Sequence, residues 1–152
     1  MIVLDTNVTS ELMRALPSAV VMRWLHSQDP KELYSTAVTV AEIQYGIARL
    51  PNSARKKKLA ETAADVFSTF PDRVLAFDVE GADQYGDVVV AREHAGTPID
   101  GFDAQIASIC RAHGAVLVTR NAKDFGNTGI EVTNPWADLM IDGPCTPVGY
   151  GR

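Results

Sequence analysis

The apolar positions of this chain change period repeatedly, from short unbroken aliphatic runs to stripes spaced three and four residues apart. Ile2-Val3-Leu4 is a β-branched and aliphatic run ending at Asp5, and predicts a buried strand. Asn7 stands where it caps a helix reaching about Arg14, and Ser18 precedes Val20, Val21, Trp24 and Leu25 at helical spacing, a second helix to about Ser27. Leu33 to Thr36 predicts the second strand. From Thr39 the period is helical again, with Ile43, Ile47 and Leu50 on one stripe and Pro51 closing it. Ser53 opens the next helix, whose stripe is Leu59, Ala63, Val66, Phe67 and Phe70.

The second half repeats the alternation. Arg73 to Phe77 predicts a third strand, Asp78 caps a helix stopped by Gly96, and another helix runs from Asp100 to Gly114. Ala115 to Thr119 is a fourth strand, Asn121 to Phe125 a helical turn, and Ile130 to Thr133 a fifth strand ahead of Pro135-Trp136. Strands alternating with helices imply right-handed crossovers, hence an α/β three-layer sandwich with a mostly parallel five-stranded sheet. One domain is expected over residues 1–138. From 139 the sequence is poor in apolar groups and predicts a flexible C-terminal tail.

Length and composition agree with one domain: 152 residues, 46% hydrophobic and 22% charged. No apolar run approaches the roughly 18 to 20 residues of a membrane-spanning helix. The opening MIVLDTNV lacks a basic segment ahead of a longer apolar one, so we expect a cytoplasmic protein. Two cysteines, Cys110 and Cys145, are too few for a disulfide framework, and His26, His94 and His113 have no zinc-binding spacing. The net charge is −5, yet residues 1–76 hold 9 basic and 8 acidic side chains against 5 and 11 in the remainder. Arg49, Arg55, Lys56, Lys57 and Lys58 form an acid-free basic stretch, read either as a solvated helix face or as a contact for phosphates.

Parallel sheets bind ligands at the carboxyl ends of their strands, and acids dominate there in this sequence. Asp5 closes the first strand, Glu42 and Asp124 follow the second and fourth, and Asp103 lies in the first turn of the helix leading into the fourth. Neither G-x-G-x-x-G nor G-x-x-x-x-G-K-[ST] occurs, which removes dinucleotide and P-loop nucleotide binding. Each acid also has a plain structural reading. Thr39 to Glu42, Asp100 to Asp103 and Asn121 to Asp124 share capping-box spacing. Gathered in one cleft, however, the carboxylates would repel unless a cation neutralised them, and oxygen-only ligation points to Mg²⁺ or Mn²⁺. Such a site suits phosphodiester hydrolysis.

The blocks MIVLDTNVTSELM, TAVTVAEIQYGIARLP, GTPIDGFDAQIA, VTRNAKDF and VTNPW, in this order, resemble the PIN-domain ribonuclease toxins of the VapC type, and among them the FitB-like branch. The resemblance runs through Trp136. It implies a parallel sheet, Mg²⁺-dependent endonucleolytic cleavage of RNA with Mn²⁺ as substitute, a homodimer, and a cognate VapB/FitA-like antitoxin that joins it in a hetero-oligomer and occupies the active-site region. Carried over position by position, it implies Asp5, Glu42 and Asp103 as metal ligands. The fourth position of the site falls to Asn121 or to Asp124, and Thr6 and Asn7 orient the first acid or a metal-bound water. Asp100 reads as a helix cap only. The competing reading is a catalytically weak module of the same fold that binds RNA or a protein. Aspartyl-phosphate chemistry fits poorly, because Asp5-Thr6-Asn7 lacks the second acid of a D-x-D pair and no acid precedes Asp5.

Overall fold

The computed structural model describes residues 1–137. Residue 138 and the tail expected from 139 lie outside the described residues. In chain order the elements are β1 (Ile2–Leu4), α1 (Thr6–Leu12), α2 (Ala19–His26), β2 (Leu33–Thr36), α3 (Ala37–Ala48), α4 (Ala54–Ser68), β3 (Val74–Leu75), α5 (Val79–His94), α6 (Gly101–His113), β4 (Val116–Val118) and β5 (Val132–Thr133). Single 3-10 turns occupy Pro30–Glu32 and Ala122–Phe125.

The strands form one parallel sheet in the order β3-β2-β1-β4-β5. Ile2 of the central strand stands opposite Leu33 on one side and Val116 on the other. The chain therefore winds outward from β1 through β2 to β3, then returns to the far side of β1 to lay down β4 and β5. That reversal opens a crevice at the carboxyl ends of β1 and β4, the place where open sheets of this kind bind ligands.

Alternation along the strands builds the two outer layers. Val3 and Leu117 point to a core shared with Val88, Ala104, Ile106, Ile109 and Phe125, covered by α5 and α6. Leu4 and Val118 point to the opposite core, where Val8, Val21, Leu25 and Phe70 cover them. A third cluster of Ile43, Ile47 and Ala63, with Met13, Leu59 and Phe67 against it, joins α3 to α4. The α/β sandwich read from the sequence is thus the observed architecture.

Edges and caps depart from the sequence reading. The third strand shrinks from residues 73–77 to Val74–Leu75 and the fifth from 130–133 to Val132–Thr133. Both are edge strands, paired on one side only, and short edges leave fewer unpaired backbone groups. The first helix ends at Leu12 rather than near Arg14, where the Glu11 carboxylate accepts the Ser18 backbone N–H at 2.6 Å. Its N-cap is Asp5, not Asn7. Likewise Thr36, not Thr39, caps α3, accepting the Thr39 N–H at 3.0 Å.

Candidate active site

Three side chains tie the carboxyl ends of β1 and β4 together. Asp5, only 4% exposed, ends β1 and accepts the Thr6 backbone N–H at 2.8 Å. Its other oxygen accepts the Thr119 hydroxyl at 2.7 Å and the Asn7 amide at 3.1 Å. Asn7 also donates to the Thr119 oxygen at 3.0 Å, and its own carbonyl receives the Arg120 N–H at 3.0 Å. The carboxylate is held in one orientation by donors from both sides of the crevice. Asn7, freed from capping, is a bridge between α1 and β4.

Thr6 extends this frame toward α3 by donating its hydroxyl to Glu42 Oε1 at 2.8 Å. Because Thr36 caps the helix, the Thr39-to-Glu42 spacing does not form a capping box, and the Glu42 carboxylate turns to the site instead. Asp103 enters from the first turn of α6. Asp124 rides on the 3-10 turn after β4, which Asn121 precedes without giving a side-chain cap. The Asn121 backbone N–H donates to the Thr119 hydroxyl oxygen at 3.1 Å, so this residue's contact with the site runs through its main chain.

Electrostatics show which of these acids have been brought together. Burial raises the Asp5 carboxyl above its ordinary range; its bonds from Thr119, Thr6 and Asn7 oppose this, and the charge of Asp124 adds to it. Glu42 is raised by burial and by the charges of Asp5 and Asp100, against the pull of Thr6. Asp103 is pushed up to about 7, first by burial and then by Asp5, Asp100, Glu42 and Asp124. Acids separated by up to 119 positions, from Asp5 to Asp124, thus act on one another in one cleft.

Two residues of the site escape a sequence reading that inspects strand ends for acids. Thr119, fully buried, is neutral, although its place directly after the apolar run Val116–Val118 marks it. Asp100 does cap α6, accepting the Phe102 N–H at 2.9 Å. Its charge also bears on Glu42 and Asp103.

The basic stretch divides. The Lys56 ammonium donates to the carbonyls of Ala48 and Leu50 at 3.3 and 3.1 Å, closing the end of α3, and Arg49 stacks over Tyr45 at 5.4 Å. Arg55 instead lines a groove of about 790 Å³ with Met13, Leu16, Ile47 and Leu59, which reaches the site at Thr6 and Glu42. Lys57 and Lys58 are exposed on α4. Cys110 is a buried free thiol, pushed up to about 12 by burial.

Could these acids hold a metal ion? Among the described residues no three His, Cys, Asp or Glu side chains stand preassembled around one point. The donors at hand are carboxylates and hydroxyls, suited to a hard cation such as Mg²⁺ that keeps several waters and takes only one or two carboxylates from the protein. Burial, and after it the repulsion of Asp5, Asp100, Glu42 and Asp124, push Asp103 up to about 7, and a bound cation would offset both.

Comparison with known proteins follows the same lines. The PIN domain matches residues 2–130. The chain is 36% identical over 137 residues to the VapC ribonuclease Y4jK of Sinorhizobium fredii, spanning 90% of this chain and 98% of that relative. To the toxin FitB of Neisseria gonorrhoeae it is 35% identical over 139 residues, 91% of this chain and 100% of the other. The crystal structure of FitAcB from Neisseria gonorrhoeae superposes with a TM-score of 0.83 at 35% identity, covering 90% of this chain and 99% of that one.

Proposed function

This chain belongs to the PIN-domain family, and on that premise we propose that it is a divalent-metal-dependent endoribonuclease, the toxin of a toxin–antitoxin pair acting in the cytoplasm. The observation that carries the reading is the convergence of acids at the β1/β4 crevice: Asp5 fixed by Thr6, Asn7 and Thr119, Glu42 joined to it through Thr6, and Asp103 and Asp124 brought in from α6 and the turn after β4. The names VapC ribonuclease and toxin FitB, borne by relatives that span nearly the same length, support the substrate and the biological role.

In this reading Asp5, Asp103 and Glu42 hold Mg²⁺, for which Mn²⁺ substitutes. Asp124 is the fourth acid, because its charge reaches Asp5 and Asp103 whereas Asn121 acts through its backbone. When bound, the ion supplies Lewis acidity and charge neutralisation at the scissile phosphate. Thr119, Asn7 and Thr6 keep Asp5 and Glu42 aimed into the cleft, so that little reorganisation accompanies reaction. Arg55, Lys57 and Lys58 offer cations for flanking RNA phosphates, while Arg49 and Lys56 are engaged within the fold. The groove, where an apolar floor of Met13, Leu16, Ile43, Ile47 and Leu59 is flanked by Arg14, Arg55 and Glu42, suits an amphipathic segment of the antitoxin. Exposed Val79, Val90 and Phe102 on α5 and α6 supply apolar surface for a homodimer contact.

The test is cleavage of single-stranded RNA by the purified chain in Mg²⁺, in Mn²⁺ and in chelator. Fragments are expected only with metal. Asp5→Asn or Asp103→Asn, each of which keeps size and removes ligand charge, is expected to lower the rate by about 100-fold or more, since ion-borne stabilisation is worth several kcal/mol. Equal cleavage by wild type and both variants would refute the assignment; binding of RNA without cleavage would favour the non-catalytic module.

A further inference from the structure

Arg92 has a position that the fold alone does not explain. It lies in the last turn of α5, is 6% exposed, and forms no ion pair among the described residues. Its Nε finds no hydrogen-bond partner there either. A buried guanidinium without a carboxylate is costly, and an unmet donor adds to the cost. An apolar side chain of similar volume would fill the space more cheaply.

What Arg92 does hold is backbone. Its Nη1 donates to the carbonyl of Gly126 at 3.0 Å and to that of Lys123 at 3.3 Å. These two oxygens bracket Asp124 at the end of the 3-10 turn Ala122–Phe125, where the backbone's own partners run out. The turn's remaining ties are few: Asp124 N–H to the Asn121 carbonyl at 2.9 Å, the Thr128 hydroxyl to the Phe125 carbonyl at 2.5 Å, and a long Gly126 N–H bond to the Lys123 carbonyl at 3.4 Å. Phe125, beside Asp124, is 1% exposed and packs into the core that Val88 of α5 also enters. A short turn with weak internal bonding therefore carries one of the site's acids, and a cation from a neighbouring helix clamps its carbonyls.

We propose that Arg92 is a positioning residue, which fixes the 122–126 turn so that the Asp124 carboxylate stays within reach of Asp5 and Asp103. It touches neither substrate nor ion. The proposal rests on the reading of the acids as a metal-holding centre, and extends that centre to a residue 32 positions from Asp124 in sequence.

Three variants test it: Arg92→Met, which keeps volume and removes the donors; Arg92→Lys, which keeps a donor and the charge; and Val88→Ala, a cavity in the same core that leaves the clamp intact. Two readouts apply, amide hydrogen exchange of the metal-free protein and calorimetric binding of Mn²⁺ alone. In Arg92→Met the Asp124 and Gly126 amides are expected to exchange at least about tenfold faster and Mn²⁺ to bind about 10- to 100-fold more weakly, the range for residues that orient ligands. Arg92→Lys should restore most of both. Val88→Ala should lower the melting temperature yet leave Mn²⁺ affinity unchanged. Should Arg92→Met fail to fold, Arg92→Gln, polar but too short to reach the Lys123 and Gly126 carbonyls together, takes its place with the same expected losses and the same refuting outcomes. Wild-type protection of the turn in Arg92→Met, or a loosened turn with unchanged Mn²⁺ affinity, overturns the proposal. Failure of the wild type to cleave RNA while it binds Mn²⁺ would overturn the nuclease reading alone.

Discussion

Asp5 shows how much a single residue's role depends on its neighbours. By itself a carboxylate at the end of a strand is a fair helix cap, and Asp5 does cap α1 through the Thr6 N–H. Its second oxygen is committed to Thr119 and Asn7, and this is what turns a cap into a carboxylate held in one orientation. Thr119→Val keeps the shape and removes both the donor to Asp5 and the acceptor for Asn7 and Asn121. The groups left unmet are expected to cost about 1–3 kcal/mol of stability in urea unfolding. Asp5, losing the bond that most strongly lowers it, should be raised further. Mn²⁺ affinity should fall by about 10- to 100-fold. Wild-type affinity in this variant would show that Asp5 is positioned by its backbone alone. The sequence made Asp5 legible as a candidate because it follows an apolar run; Thr119 was hidden because a buried neutral hydroxyl leaves no charge pattern to find.

At the scale of elements, caps decide where the acids point. A helix whose N-terminus is bonded by Thr36 leaves Glu42 free for Thr6, whereas a Thr39 cap would place Glu42 at the third helical position and draw its carboxylate back to the helix end. Thr36→Ala should therefore cost about 1 kcal/mol, as loss of an N-cap does, seen as a lower urea midpoint with unchanged slope. An unchanged midpoint would mean that Thr36 contributes no cap. The helices themselves were readable from periodicity, within a few residues at each end. Their caps were not, because Thr36 and Thr39, or Asp5 and Asn7, are chemically equivalent choices that differ only in backbone conformation: Thr36 and Asp5 hold the extended geometry a cap needs.

For the whole molecule, the gathering of acids is a cost to the fold that a cation removes. Asp103 moves from 3.8 to about 7, and Asp5 and Glu42 are also raised, so the native state binds more protons than the unfolded chain in this window. Stability of the metal-free protein should then fall as pH rises from about 4 through about 7, the reverse of the usual carboxylate case. The proposed binding of Mn²⁺ requires ionised carboxylates in the folded site, so Mn²⁺ should raise the melting temperature more at pH 8 than at pH 5. Equal Mn²⁺ shifts at both pH values, read by scanning calorimetry, would contradict the coupling. The sequence by itself determined the alternation of strands and helices, the parallel sheet and the short list of strand-end acids, because period, β-branching and turn residues act over a few neighbouring positions. Only the tertiary structure decided that Asp5, Glu42, Asp100, Asp103 and Asp124 share one cleft and that Thr119 and Arg92 hold its walls. Those relations follow from the strand order β3-β2-β1-β4-β5, which brings distant segments to one sheet edge and which no local pattern encodes.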